Sequence, residues 1–303
     1  DISSVFFAGL RPVFCDINLS NLAFDLERLE AAITPRTRAV FLTHVLGLNG
    51  VTQELLDICK KHNLALIEDV CESHGATFMG KKAGSIGFAS NFSFYFAHHM
   101  STIEGGMICT NDEAFYELLR MLRSHGMLRE STHEAYKQEV IEQFPDLNPD
   151  FIFVAPAHNH RSTEINAVLG LSQIQKLDEN NEVRQKNFRY FISNLNPGKY
   201  VTNFDLEGQS NYAFIVILNG ELTIARRNAL EQKLRDNKIE FRRGLSGGGN
   251  QTLQPFIQDN FKVDQSQFPN VNRVHSFAWY IGNYPTLERS QIDSLLKILN
   301  EAE

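Results

Sequence analysis

The chain has 303 residues, room for about two domains, and its 43% hydrophobic and 21% charged content is that of an ordinary globular protein. No apolar run approaches the ~18–20 residues of a membrane span, so no membrane partner is expected. The net charge of −7 argues against nucleic acid, whose phosphates want Lys and Arg massed on one face. The doublets Arg226–Arg227 and Arg242–Arg243 suffice only for a single phosphorylated ligand. The four cysteines are scattered, with no close pair at metal-ligand spacing, so a reduced, cytoplasmic setting is expected. The opening DISSVFFAGLRPVFCDIN has no initiator Met, basic n-region or cleavage-site pattern. It is not a signal peptide, and it reads as the middle of a domain whose N-terminal part is missing.

Pro12–Ile17 and Ala39–His44 read as strands, and Thr52–His62 as a helix with Leu55, Ile58 and Cys59 on one face. Leu64–Asp69, Asn91–Phe96 and Gly106–Thr110 follow as strands, and Asn111 opens a helix ended by Gly126. Residues 130–160, rich in Glu, Pro and Asn, read as an irregular surface excursion. A long helical pattern starts near Thr163 and is expected to bend or break near Asp178–Asn181. Beyond it come a strand at Tyr212–Leu218, a helix at Thr223–Asn237, a strand at Ile239–Arg243 and a final helix carrying Ile292, Leu295, Leu296 and Leu299. Strands alternating with helices predict an α/β fold with a mostly parallel central sheet and a smaller C-terminal α/β domain.

Three segments carry candidate chemistry. Asp69 ends a buried strand, where open α/β sheets bind ligands. It suits a protonated ring nitrogen, or it merely caps a turn. In the second segment Ser93, His98 and His99 place a hydroxyl and two imidazoles just after a strand. Imidazole suits proton transfer near neutral pH. A packed, hydrogen-bonded pair is the plainer alternative, and a metal held by His98, His99 and Glu104 needs a turn, since neighbours on a strand point apart. Phe241–Gln251 runs a strand carrying Arg242 and Arg243 into a Gly-rich loop. It fails the dinucleotide fingerprint at Thr252, leaving a phosphate or sugar contact and a plain surface loop as readings.

Taken together, Glu68-Asp69, Glu72, His74-Gly75, Ser93-Phe94, Glu104-Gly105-Gly106, Arg123–Gly126 and Asn159–Glu164 keep the order of one family's motifs. The chain resembles the DegT/StrS sugar aminotransferases. The resemblance implies an aspartate-aminotransferase-type fold that binds pyridoxal 5'-phosphate or pyridoxamine 5'-phosphate. It divides the chain into a large cofactor-binding domain over residues 1–165 and a connecting helix with a small domain over residues 166–303. It also implies a homodimer with shared active sites. Asp69 would pair with the pyridine nitrogen, Glu72 would lie near the ring hydroxyl where relatives usually have Gln, and Ser93 would contact the phosphate. Asn159 would reach the partner's cofactor phosphate, and His125 would lie near the partner's site. Arg129, Arg242 and Arg243 are candidates for substrate or partner contacts.

The departure is at position 98. Five residues after the motif Ser, the aminotransferases keep the lysine that binds the cofactor, and this chain has His98. Imidazole cannot form that imine, so the cofactor is expected to be held without a covalent link. The exchange resembles the family's deoxysugar 3-dehydratases. Residues 123–160 contain no cysteine, unlike the iron–sulfur branch acting on CDP-sugars, which leaves the branch acting on GDP-linked sugars. The resemblance implies a nucleotide-sugar substrate, L-glutamate as amino donor and His98 as the base. An ordinary sugar aminotransferase and a non-catalytic ligand-binding relative are the alternatives.

Overall fold

The computed structural model describes residues 1–302. The first part contains α1 (Ile2–Phe7), α2 (Leu26–Ala32), β1 (Ala39–Thr43), α3 (Gln53–Lys61) and β2 (Ala65–Asp69). A hairpin of β3 (Thr77–Phe78) and β4 (Lys81–Lys82) follows, then β5 (Ala89–Ser93), β6 (Gly106–Thr110), α4 (Glu113–Arg123), α5 (Glu134–Gln143) and the long α6 (Glu164–Asn194). The remainder holds β7 (Ala213–Ile217), α7 (Ile224–Asp236), β8 (Arg242–Arg243), α8 (Pro255–Asn260), α9 (Pro269–Phe277), β9 (Ala278–Gly282) and α10 (Arg289–Asn300).

The larger sheet has the order β1-β2-β5-β6. Its first three strands are parallel, and β6 runs back antiparallel with Gly106 opposite Ser93. The carboxyl ends of β1, β2 and β5 therefore share one edge, which places Asp69 and Ser93 on neighbouring strands there. The antiparallel β6 starts at that edge and brings Glu104-Gly105-Gly106 to it. The second sheet, β7-β9-β8, is wholly antiparallel. Its all-buried β7 packs with Phe188 and Phe191 of α6, Trp279 of β9 and Leu295 of α10 in the larger hydrophobic cluster. Leu46 and Leu48, from the turn after β1, join that cluster and tie the two sheets together.

Local sequence accounts for most element ends. Thr52 caps α3 by accepting from Leu55 N at 3.1 Å, and Lys60 and Lys61 lie in its last turn, where the helix dipole favours cations. A reciprocal Thr163–Asn166 capping box starts α6.

Four local expectations are corrected. Pro12–Ile17 is not a strand. Only Ile17 makes an isolated bridge, to Phe24, because no neighbouring strand offers a ladder to its backbone. Residues 130–160 are not wholly irregular. They include α5, whose Tyr136, Val140 and Ile141 share a face and pack on Leu128 and Ile152. α6 does not break near Asp178–Asn181 but runs unbroken for 31 residues, since Asn181 spends its amide on a tertiary bond to the His74 carbonyl. The cap of α4 is Asp112 rather than Asn111.

Candidate active site

At the end of β2, Asp69 is buried, and its Oδ1 accepts from the backbone N of Cys71 (2.9 Å) and from Asn91 Nδ2 (3.0 Å). Both of these N–H donors fall on Oδ1 and the Cys71 thiol is a further partner of the carboxylate, so among the described residues Oδ2 carries no N–H donor and can meet a ligand cation. The sequence reading missed Asn91. It sits opposite Asp69 in the β2–β5 register, a relation no spacing along the chain reveals.

Glu68, one residue earlier, points into the protein. Its Oε1 accepts from Ile86 N (2.9 Å) and Gly87 N (2.7 Å), and its Oε2 accepts from Gly84 N (2.9 Å) and His44 Nε2 (3.3 Å). Burial alone would raise its pKa, but the His44 N–H and the three amides outweigh that and hold it below its ordinary 4.5. Glu68 thus fixes the loop that feeds β5 and, through it, Asn91 and Ser93. Because the folded pKa is depressed, the stability it contributes is complete above pH 4.5 and is lost as pH falls through the folded value. Glu68→Gln cannot satisfy all four donors and should cost about 2–4 kcal/mol. Urea unfolding at pH 7 checks this, and a loss under about 0.5 kcal/mol, the scatter of ordinary surface changes, would rule it out.

Glu72 stands on the turn after β2. Its Oε2 accepts from Leu46 N at 3.2 Å, and the Ser246 hydroxyl is a further partner. Burial is the main cause that raises its pKa, with the Asp69 charge adding to it. Ser246 belongs to the Gly-rich loop after β8, so that loop reaches the site through Glu72.

Ser93 ends β5, with its Oγ accepting from Tyr95 N at 3.3 Å. The chain turns back, and the Ser93 carbonyl accepts from His98 Nδ1 at 3.3 Å. A carbonyl only accepts, so His98 carries its proton on Nδ1 and leaves the Nε2 lone pair open. Burial lowers the His98 pKa, against opposing pulls from the Ser93 carbonyl, Asp69 and Glu104. A neutral imidazole with a bare Nε2 is the form a general base needs. His99 has a different partner. It is 6% exposed and donates Nε2–H to the Ser210 carbonyl at 3.0 Å.

The remaining candidates lie elsewhere. His125 and Asn159 are brought together on an exposed ledge, where Ser124 bridges Asn159 and His125 N donates to the His158 carbonyl at 2.8 Å. Gly126 makes that pairing possible. Its φ is +77°, and a Cβ there would lie 2.0 Å from the Ala155 oxygen. Nearby, Arg129 lays its guanidinium over Phe151 at 5.5 Å. Arg242 is exposed and pairs with Glu240 at 2.9 Å. Arg243 gives its Nε and NH2 to Glu231, which is 2% exposed and also accepts from Trp279 Nε1 at 3.0 Å. That guanidinium is engaged between β8 and α7.

A free carboxylate oxygen, a hydroxyl and an open imidazole nitrogen, gathered at the carboxyl edge of a parallel sheet, fit a pyridinium, its phosphate and its reactive carbon. The fold is the aminotransferase-type fold of pyridoxal-phosphate enzymes. Residues 2–300 match the DegT/DnrJ/EryC1/StrS aminotransferase family, and the chain belongs to it. It is 31% identical over 292 residues to a GDP-4-keto-6-deoxy-D-mannose 3-dehydratase of Escherichia coli O55:H7, covering 96% of this chain and 74% of the relative. A GDP-perosamine synthase of Caulobacter vibrioides is 36% identical over 184 residues, covering 61% of this chain and 45% of that one. The solved E. coli GDP-4-keto-6-deoxy-D-mannose-3-dehydratase with bound hydrated PLP superposes with a TM-score of 0.84 at 29% identity, covering 97% of this chain and 75% of that one. The family is dependent on pyridoxal phosphate. Among the described residues no helix is long and apolar enough to cross a membrane.

Proposed function

We propose that this protein removes the 3-hydroxyl of GDP-4-keto-6-deoxy-D-mannose, with L-glutamate as amino donor, in the making of deoxysugars for surface polysaccharide. The observation that carries the reading is His98, an imidazole with a fixed Nδ1–H and an open Nε2 at the position of the cofactor-binding lysine. When bound, the pyridoxamine form of the cofactor would supply an amino group for the sugar's keto carbon and a ring that takes up the electron pair left by proton removal and returns it to expel the neighbouring hydroxyl. Asp69 Oδ2 holds the ring nitrogen in its charged form, the Ser93 hydroxyl holds the phosphate, and Glu72 faces the ring hydroxyl. His98 Nε2 would accept the proton released next to the amino nitrogen. Without an amine at position 98 the cofactor is held without a covalent link. Two copies complete each other's sites, with Asn159 and His125 of one copy serving the other.

A second reading, a sugar aminotransferase, is favoured by the likeness to the GDP-perosamine synthase. Product analysis with GDP-4-keto-6-deoxy-D-mannose and glutamate separates the two. The dehydratase yields a 3-deoxy keto sugar and free ammonia, with no cofactor left on the chain by borohydride. A 4-amino sugar, or a reduced cofactor–lysine peptide, would establish the aminotransferase instead.

A further inference from the structure

His99 plays no part in the chemistry just described, yet it is buried. Its ring lies between those of His74 and Tyr212, with centroids 5.7 and 5.8 Å away. Tyr212 also meets the His98 ring edge-on at 5.8 Å. The His99 ring meets the backbone of Ser210 and Asn211, and the Ser210 carbonyl that accepts its Nε2–H is itself held in place. Ser210 N donates to the Gly47 carbonyl (2.8 Å), Tyr212 N donates to the Leu46 carbonyl (3.0 Å), and Ser210 Oγ donates to the His74 carbonyl (2.7 Å). A Cβ on Gly47, whose φ is +86°, would lie 1.9 Å from the Ser210 oxygen, so the two backbones are pressed together. Ser210 is a fixed post at the seam between the two sheets.

We propose that His99 is a positioning residue, whose Nε2–H bond to Ser210 holds the turn after β5 so that His98 keeps its bond to Ser93 and its Nε2 toward the reacting carbon. The adjacent imidazoles divide the work through opposite tautomers. His98 is pinned through Nδ1 and keeps Nε2 open, whereas His99 is pinned through Nε2 and keeps Nδ1 inside. Nδ1 of His99 has no partner and no exposure, so protonating it would place an unpaired cation in the interior. Burial, the Arg184 guanidinium and His74 all keep it neutral. The anchor therefore holds across the pH range in which His98 titrates.

The test compares His99→Gln, whose amide N–H reaches about as far as Nε2, with His99→Asn, which is one methylene shorter. The value of this inference to catalysis rests on the dehydratase reading, so the first readout needs neither cofactor nor substrate. It is the tautomer and titration midpoint of the His98 ring by nitrogen NMR. The groups facing that ring are Asp69 on β2, Glu104 before β6, His74, Tyr95 and Tyr212, and none is altered by either variant. In His99→Asn the His98 midpoint should climb toward 6.5, because burial is what depresses it, and the Nδ1–H preference should fade. His99→Gln should keep both parental values. The second readout is exchange of the cofactor's methylene protons with deuterated water. It should fall ~10- to 100-fold in His99→Asn, the cost of displacing a reacting group by about 1 Å, and stay near parental in His99→Gln. An unchanged His98 midpoint and tautomer in His99→Asn would overturn the proposal whatever the activity. So would a His99→Gln protein as disturbed as His99→Asn.

Discussion

His98→Asn should bind pyridoxamine phosphate normally yet lose methylene proton exchange and sugar dehydration by ~100- to 10,000-fold, the usual worth of a general base. Asparagine keeps the polarity and can still donate to the Ser93 carbonyl, but it offers no basic nitrogen. The loss should therefore appear in kcat rather than in cofactor affinity, read by equilibrium titration of the cofactor's absorbance. The parent's own pH profile carries the same signature. A base works unprotonated, so kcat should rise with pH through a midpoint below 6.5, since burial lowers the His98 pKa, and then level off. If His98→Asn exchanged the methylene proton at the parental rate, the base would have to be another group.

The second large effect is the recovery of activity when two dead variants are mixed. Asp69→Asn removes the charge proposed to hold the ring nitrogen, and Asn159→Ala removes the contact proposed to reach the neighbouring copy's phosphate. Each alone should fall to a small fraction of parental activity. In a heterodimer the defects meet in one site and leave the other intact. Half of randomly paired dimers are heterodimers, so the mixture should recover about a quarter of parental activity. Asn159 lies exposed on the ledge with His125, and among the described residues its side chain is bonded only to Arg161, which is consistent with a role outside its own subunit's cleft. Hybrid dimers that form, shown by mass spectrometry, but stay inactive would rule out sites shared through Asn159.

The site was legible where its parts are close in sequence. Ser93 and His98 stand five residues apart across one turn, and Asp69 ends a strand whose apolar run is plain in the sequence. What fixes these groups was not legible. Asn91 reaches Asp69 through strand register, Ser210 holds His99 from 111 residues away, and the four donors on Glu68 come from His44 and from a loop with no motif of its own. Polar side chains misled the helix reading in both directions. Asn181 looks like a break in α6 because its tertiary partner is invisible in sequence. α5 is hidden because its four apolar residues are outnumbered by Glu and Gln. The pairing of Arg243 with Glu231 is equally invisible, since nothing near Arg243 in sequence announces that partner.

α6 contacts the site at three levels. Asn166 donates to the carbonyls of Thr102 (2.9 Å) and Glu104 (3.1 Å), Asn181 donates to the His74 carbonyl (2.7 Å), and Arg184 donates to the carbonyls of Tyr212 (3.2 Å) and Asn283 (2.5 Å). These pegs stand on one rod with no hinge, and each grips the backbone of a different layer. The spacing between the glycine turn, the floor under His74 and the small sheet is thereby measured out in helical rise, ~1.5 Å for each residue. A substitution on the open face of the rod leaves that measure alone. One residue gained or lost between Asn166 and Asn181 would swing the far pegs by about 100° and release them together. The gauge of this active site is written in the length of a helix, and only secondarily in its composition.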